Sequence, residues 1–321
     1  MASFPLLSML PAALNPSFET RPEPRALLIL GVSVFAALFT MEVVMYRVMC
    51  LLNALLGGKG AILGPERNRV ILGRRCTEAM AMGAFGYLGL QMQNELGWGE
   101  GSLWGGAEGG SVEANGAAAA ARTHLYHGGA FRLALFQLAY QCFNMLTSLR
   151  DNDGALFVAH HIVTGGLCFF LLDSFCVIYC PFFLGVTEVS TAVLCALASF
   201  DDALGVPALA ARFPTLKMLL ATVFAGVFIW CRIYWWYFLS IAFWKDMLAL
   251  LADPNTAGKL FHGTVPQPAF IVSFLVCNAG LSLLQVVWLG EIFVVAHKEL
   301  LGGGGASMSS KAASAKTKKG Q

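Results

Sequence analysis

Residues 155–176 read ALFVAHHIVTGGLCFFLLDSFC. The stretch holds one acid, Asp173, and no Lys or Arg. It supplies the roughly 20 mostly apolar residues that cross a bilayer as a helix. Two adjacent histidines, His160 and His161, interrupt it. Titratable groups are costly at membrane depth, so each one there calls for a partner or a task.

Working outward, six further segments read as spans: residues 26–52, 77–93, 130–149, 181–200, 216–243 and 269–296. The segment 77–93 is short. Composition agrees with a lipid solvent. Of the 321 residues 57% are hydrophobic and only 12% charged, and the mean hydropathy is +0.66. A water-soluble domain carries about twice that charge. This excludes an ordinary soluble enzyme, a disordered chain and a nucleic-acid binder, and the net charge of +2 is too small to argue for an anionic partner. The fold class expected is all-α, a polytopic membrane protein of about seven transmembrane helices. The connector 95–127, Gly/Ala-rich with an alanine run at 117–121, reads as a loop with little structure of its own. The nine cysteines read as small buried hydrophobes, with a Cys176–Cys180 disulfide as a minor alternative.

Basic residues in connectors set orientation. With seven spans, one side collects thirteen Lys and Arg, including Arg67, Arg69, Arg74, Arg75 and Arg150, and the other collects five. The N-terminus is therefore expected on the lumenal side and the C-terminus in the cytosol. Residues 1–25 form a short non-cytosolic segment without the basic start of a signal peptide. Residues 26–73 hold the first span and a basic cytosolic loop, residues 74–298 the main membrane domain, and residues 299–321 a flexible basic tail. The tail ends in Lys318-Lys319-Gly320-Gln321, similar to the dilysine signal that coat machinery reads to return proteins to the endoplasmic reticulum. A solvated basic tail is the plainer alternative.

Inside the spans stand His160, His161, Thr164, Glu188, Ser190, Thr191 and Arg232. Adjacent helical residues point about 100° apart, so only one histidine is expected to face a given cavity while the other bonds a neighbouring helix. Either imidazole can carry a proton or attack an acyl carbon. Glu188 reads either as a structural ion pair with Arg232 or as an orienting partner for a histidine. No third ligand stands at a metal-site spacing, so no metal is expected. Trp230, Trp235, Trp236 and Trp244 read as an interfacial belt with packing contacts.

Three motifs in order, His160-His161-Ile162-Val163-Thr164, Glu188-Val189-Ser190-Thr191 and Phe228-Ile229-Trp230-Cys231-Arg232-Ile233, resemble the TLC domain. Ceramide synthases and translocating-chain-associating membrane proteins share that domain. The resemblance covers residues 74–298 and implies a TLC-type helical bundle. Ceramide synthases carry His-Asp-x-Ser-Asp downstream of the double histidine, where this chain has Thr187-Glu188-Val189-Ser190-Thr191. The first acid and the serine are kept in kind, but a threonine replaces the histidine and another replaces the second acid. This disfavours a ceramide synthase proper. The pattern is closer to TLC-domain proteins linked to phospholipid composition and membrane fluidity.

The expected function is lipid homeostasis in the endoplasmic reticulum membrane, with a polar cavity that binds or senses membrane lipid. The alternatives are an acyltransferase using His160 or His161 with Glu188, and a transporter or receptor. No bound cofactor is expected; acyl-coenzyme A is the substrate the acyltransferase reading implies. The partners expected are membrane lipids, the coat machinery and, in a homo-oligomer, further copies of the chain. In a simple hairpin of the fourth and fifth spans, His160 and Glu188 would lie about 12 Å apart in depth at 1.5 Å per residue.

Overall fold

The computed structural model describes residues 22–58, 60–96, 112–173, 175–201, 205–253, 259–260 and 265–301. Lys318, Lys319 and nearly all of segment 1–25 lie outside these residues. The bundle is helical throughout, apart from a two-residue antiparallel pairing of Lys259–Leu260 with Val265–Pro266. Ten helices follow in order: α1 (Pro24–Leu55), α2 (Glu66–Glu95), α3 (Val112–Thr123), α4 (Gly128–Asp151), α5 (Ala155–Leu171), α6 (Glu188–Ala198), α7 (Pro207–Arg212), α8 (Pro214–Phe228), α9 (Trp236–Ala252) and α10 (Gln267–Leu301). A wide π-helical stretch, Pro181–Val186, leads into α6, and another, Ile229–Trp235, joins α8 to α9.

Among the described residues, four segments are long and apolar enough to cross a membrane: Pro24–Leu55, Val177–Ala198, Pro214–Ala252 and Gln267–His297. The 17-residue α5 is apolar but shorter. The helices α2 and α4 are long but more polar, and one side of each is buried against the rest of the bundle. Residues buried along α2 include Asn68, Arg74, Thr77 and Glu78, whereas α1 buries only Leu30, Leu38 and Glu42 and turns Leu28, Val32, Val43 and Leu51 outward. A helix with an apolar outer face is lipid-facing; one with polar groups bonded inside the bundle is a core helix.

Three boundaries differ from the sequence reading. The second span is not 77–93 but part of a 30-residue helix that starts at Glu66 after Pro65, so Arg67, Arg69, Arg74 and Arg75 lie on a helix rather than in a loop. Proline fits the start of a helix because its missing N–H would have been unpaired there. In the connector 95–127, residues 97–111 lie outside the described residues, and the alanine run lies in α3, as alanine's propensity favours once the helix has α9 to pack against. The fourth span stops at Leu171, and Cys176 takes φ 60° in the bend that follows. Cys176 and Cys180 are free thiols, so they form no disulfide. The tryptophans are not a simple belt either. Trp236 is buried, its indole N–H donating to Ser282 Oγ, and Trp244 donates to Asn278 Oδ1.

Lipid offers helices no hydrophobic reason to associate, so small residues and interhelical hydrogen bonds hold them together. The closest approach is α2 against the π stretch before α6. A Cβ on Gly89 would fall 2.6 Å from Gly185 Cα, and one on Gly185 would meet Gly89 Cα at the same distance. Helix α4 lies at the centre, with Phe131, Leu133 and Phe143 fully buried among residues of α1, α2, α5, α9 and α10.

Contacts sort the connectors into two ends. At the first, Arg74 bonds Asp151 and Asp153, and Arg67 reaches Gly205 O at 3.5 Å. At the other, Arg122 and Tyr179 meet on Asp246, and the Cys176 N–H donates to Thr123 O. They are called here the Arg74 end and the Asp246 end.

Candidate functional site

A tight turn aims the double histidine. Helix α4 ends at Asn152 in the left-handed region (φ 57°), and Gly154 (φ 108°) precedes α5. Glycine tolerates such angles without strain. The returning helix buries the stripe His161, Thr164, Cys168 and Leu171 against α4, at the spacing of one helical face.

His161 is fixed by a chain of amides. Gln137 Nε2 donates to the carbonyl of Leu184 (2.8 Å), and Gln141 Nε2 donates to Gln137 Oε1 (3.2 Å). His161 Nδ1 lies 2.7 Å from Gln141 Oε1. A carbonyl can only accept, so the chain has one direction: Leu184 O orients Gln137, Gln137 orients Gln141, and Gln141 Oε1 accepts from His161 Nδ1–H. In the neutral imidazole this leaves Nε2 with the lone pair.

His160 is held by rings, not by hydrogen bonds. Its centroid stands 5.5 Å from His161 and 6.0 Å from Trp288 on α10, both edge to face. Its Nδ1 is buried without a hydrogen-bond partner among the described residues. As expected, one histidine, His161, bonds a neighbouring helix, through Gln141, but both histidines line one cavity, which the sequence reading did not expect.

That cavity has a volume of about 670 Å³. Its middle level carries all seven intramembrane residues singled out by sequence: His160, His161, Thr164, Glu188, Ser190, Thr191 and Arg232. Arg232, on the second π stretch, donates from Nε to Ser190 Oγ (2.7 Å) and from Nη2 to Thr191 Oγ1 (2.8 Å). Glu188 Oε2 lies 3.7 Å from Arg232 Nη2. No hydrogen bond joins Glu188 to either histidine, so the two motifs share a cavity without forming a dyad. Besides His160 Nδ1, Thr164 Oγ1 and Gln285 Oε1 are buried there with no partner among the described residues.

The cavity changes character along its length. Towards the Asp246 end its walls are Leu167, Leu171, Phe183, Phe243 and Phe274. Towards the Arg74 end they are Arg74, Arg75, Glu78, Ser148 and Asp153. There Arg74 bonds three carboxylates, Glu78 (2.7 Å), Asp151 (2.5 Å) and Asp153 (2.6 Å), while Arg75 also holds Glu78 (2.8 Å). Burial alone would lower the Arg74 pKa, but the carboxylates of Glu78 and Asp153 reverse that and raise it. Asp151 feels burial pushing its carboxyl up, yet Arg150 and Arg74 hold it below the ordinary value.

Sequence reasoning missed Gln137, Gln141, Gln285, Trp288, Arg74 and Glu78. A signal existed for three of them. Gln137 and Gln141 sit four apart in an apolar span, hence on one face, and Gln285 is a lone amide in α10. Among the described residues no cluster of three His, Cys, Asp or Glu is placed to hold a metal ion.

Comparison with curated proteins and with solved structures gives no match. The family model for the TLC domain matches residues 85–294, which contain both π stretches, the double histidine and the middle level of the cavity. The chain is a membrane protein, and it belongs to the lipid-related TLC domain family.

Proposed function

We propose that the protein holds a membrane lipid in the His160 cavity and serves lipid homeostasis in the endoplasmic reticulum. The Arg74 end would face the cytosol, as the asymmetry of basic connectors suggests, and Lys318 and Lys319 would act as the retrieval address. One observation carries this reading. Besides Arg75 Nε at its charged end, an apolar-walled cavity of lipid-accommodating size contains three buried polar atoms that lack a partner among the described residues: His160 Nδ1, Thr164 Oγ1 and Gln285 Oε1. An unmade hydrogen bond in a buried setting costs about 1–3 kcal/mol, so three in one place favour a ligand that completes them. The Gln285 oxygen can only accept, so the ligand must offer a donor, such as a hydroxyl, an amide N–H or an ammonium.

The test is the lipid that stays with the protein through purification in mild detergent, identified by native mass spectrometry and extraction. His160→Ala and Gln285→Leu should each lower retention about tenfold while the thermal unfolding midpoint is maintained. Equal retention in both folded variants would refute the reading.

A second reading is acyl transfer from acyl-coenzyme A to an amine or lysolipid. What favours it is the tautomer: the amide chain leaves His161 Nε2 with the lone pair that a base or acyl acceptor requires. Against it, no carboxylate bonds either imidazole, and Glu188 is engaged by Arg232. Turnover by purified protein that is lost in His161→Ala would establish it. Absence of turnover across a panel of amine and lysolipid acceptors would remove it.

A further inference from the structure

A second cavity, of about 490 Å³, opens at the Arg74 end. Six of its lining residues are charged: Glu66, Arg67, Arg74, Arg75, Asp151 and Asp153. Val70 and Ile71 complete it. Three of these, Arg74, Arg75 and Asp153, also line the His160 cavity, so one wall of side chains separates the two spaces. The outer cavity lies at the level where the helices leave the apolar part of the bundle, beside the turn 151–154.

Its charge is balanced, three guanidiniums against three carboxylates. A purely anionic group would face Glu66, Asp151 and Asp153, and a purely cationic group would face three arginines. A group carrying both signs meets both sets. Several of the polar atoms are left for it. Arg74 is saturated by its carboxylates, but Arg75 spends only Nη1 on Glu78, and its Nε is buried without a partner among the described residues. On the acidic side, Glu66 is exposed and only distantly bonded, by Tyr46 OH at 3.5 Å, whereas both oxygens of Asp151 are already held by Arg74 and Arg150. Val70 and Ile71 offer an apolar rim on the same face of α2 as Arg67 and Arg74.

We propose that this vestibule binds the zwitterionic head group of a phospholipid, with the phosphate on Arg75 and the ammonium on Glu66. Arginine donates to phosphate oxygens in a planar fork, and basic pockets between helices at the membrane surface are common head-group sites. The site goes beyond the His160 cavity and does not depend on what occupies that cavity.

The experiment uses the full-length protein in mild detergent with short-chain phosphatidylethanolamine, phosphatidylcholine, phosphatidic acid and diacylglycerol as probes. Bound lipid is counted by native mass spectrometry. The zwitterionic lipids should be retained about tenfold better than phosphatidic acid or diacylglycerol. Arg75→Gln should remove that preference. The exposed Arg67→Gln, which is far less exposed to misfolding, should weaken it about threefold. Stronger retention of phosphatidic acid, retention of diacylglycerol equal to the rest, or a preference untouched by folded Arg75→Gln would each overturn the proposal. Soluble glycerophosphoethanolamine separates the sources: if it competes as well as the lipid does, the bilayer is not the source and the proposal fails. If His160→Ala abolishes the preference along with Arg75→Gln, the binding belongs to the inner cavity instead.

Discussion

Arg74 and Asp246 sit at opposite ends of the bundle, each at the centre of a buried group of charges. Around Arg74 the bonds are shared out. Glu78 also has Arg75, Asp151 also has Arg150, and Asp153 also accepts from Ser148 Oγ at 3.1 Å. Around Asp246 they converge on one carboxylate. Arg122 takes both of its oxygens, Tyr179 OH donates at 2.7 Å, and Asp246 is 4% exposed. The first arrangement survives the loss of any single carboxylate; the second has only one to lose. The difference suits their positions. The Arg74 group walls two cavities at the bundle's charged end. The Asp246 group pins α3 and the bend before the first π stretch onto α9, closing the far end.

The widest test of this contrast removes the hub itself. Arg74→Ala leaves three carboxylates without their common cation and should destabilise the protein by about 3–5 kcal/mol, read as a lowered unfolding midpoint in detergent. Next comes Asp246→Asn, which keeps the shape but removes the charge from Arg122 and Tyr179 and should cost about 2 kcal/mol. Asp153→Asn should cost about 1 kcal/mol or less, because Arg74 keeps Glu78 and Asp151. If Asp153→Asn proves as damaging as Asp246→Asn, the distinction between shared and convergent bonding is wrong.

Acid sharpens the comparison further. Burial lowers the pKa of both His124 and His127, with Glu95 partly opposing this at His127. Their folded state therefore binds fewer protons than the unfolded chain. The stabilisation is complete above the unfolded value of about 6.5 and is lost as pH falls through it. Asp151 has a depressed folded pKa, so its contribution is complete above about 3.9 and is lost only below that. Hydrogen exchange should therefore loosen residues 112–130 between roughly pH 6.5 and 5, with residues 150–154 unchanged until below about pH 4. Simultaneous loosening of both ends would contradict this.

Much of the bundle was legible in the sequence because lipid imposes length and apolarity on the helices it touches. The first, sixth and seventh spans declare themselves in this way. The core helices declare themselves less well. The start of α2 is rich in arginine, and nothing local tells that Arg74 will be neutralised by residues 77 and 79 positions away. The site divides likewise. Every polar residue inside a span is conspicuous, so His160, His161, Glu188 and Arg232 could be named. Their partnerships could not be settled. The Glu188–Arg232 pair is one of two readings the sequence leaves open, and choosing it, like finding that His161 meets Gln141, depends on which helix faces lie together, which a hairpin drawn from span lengths does not supply. The alanine run of α3 was misread because its helix depends on docking to α9, a contact invisible to local composition.

The two π stretches have a consequence for what the chain tolerates. Each holds more residues per turn than the α-helix on either side, as though one residue had been slipped into the coil. Deleting one residue from the regular helix just before 229–235 would turn everything beyond it by about 100°. Trp236, Leu239 and Phe243 would swing away from their present neighbours, although no residue type had changed. For this protein the count of residues before Glu188 and around Arg232 is itself information. Single-residue length variants there should do more harm than most substitutions.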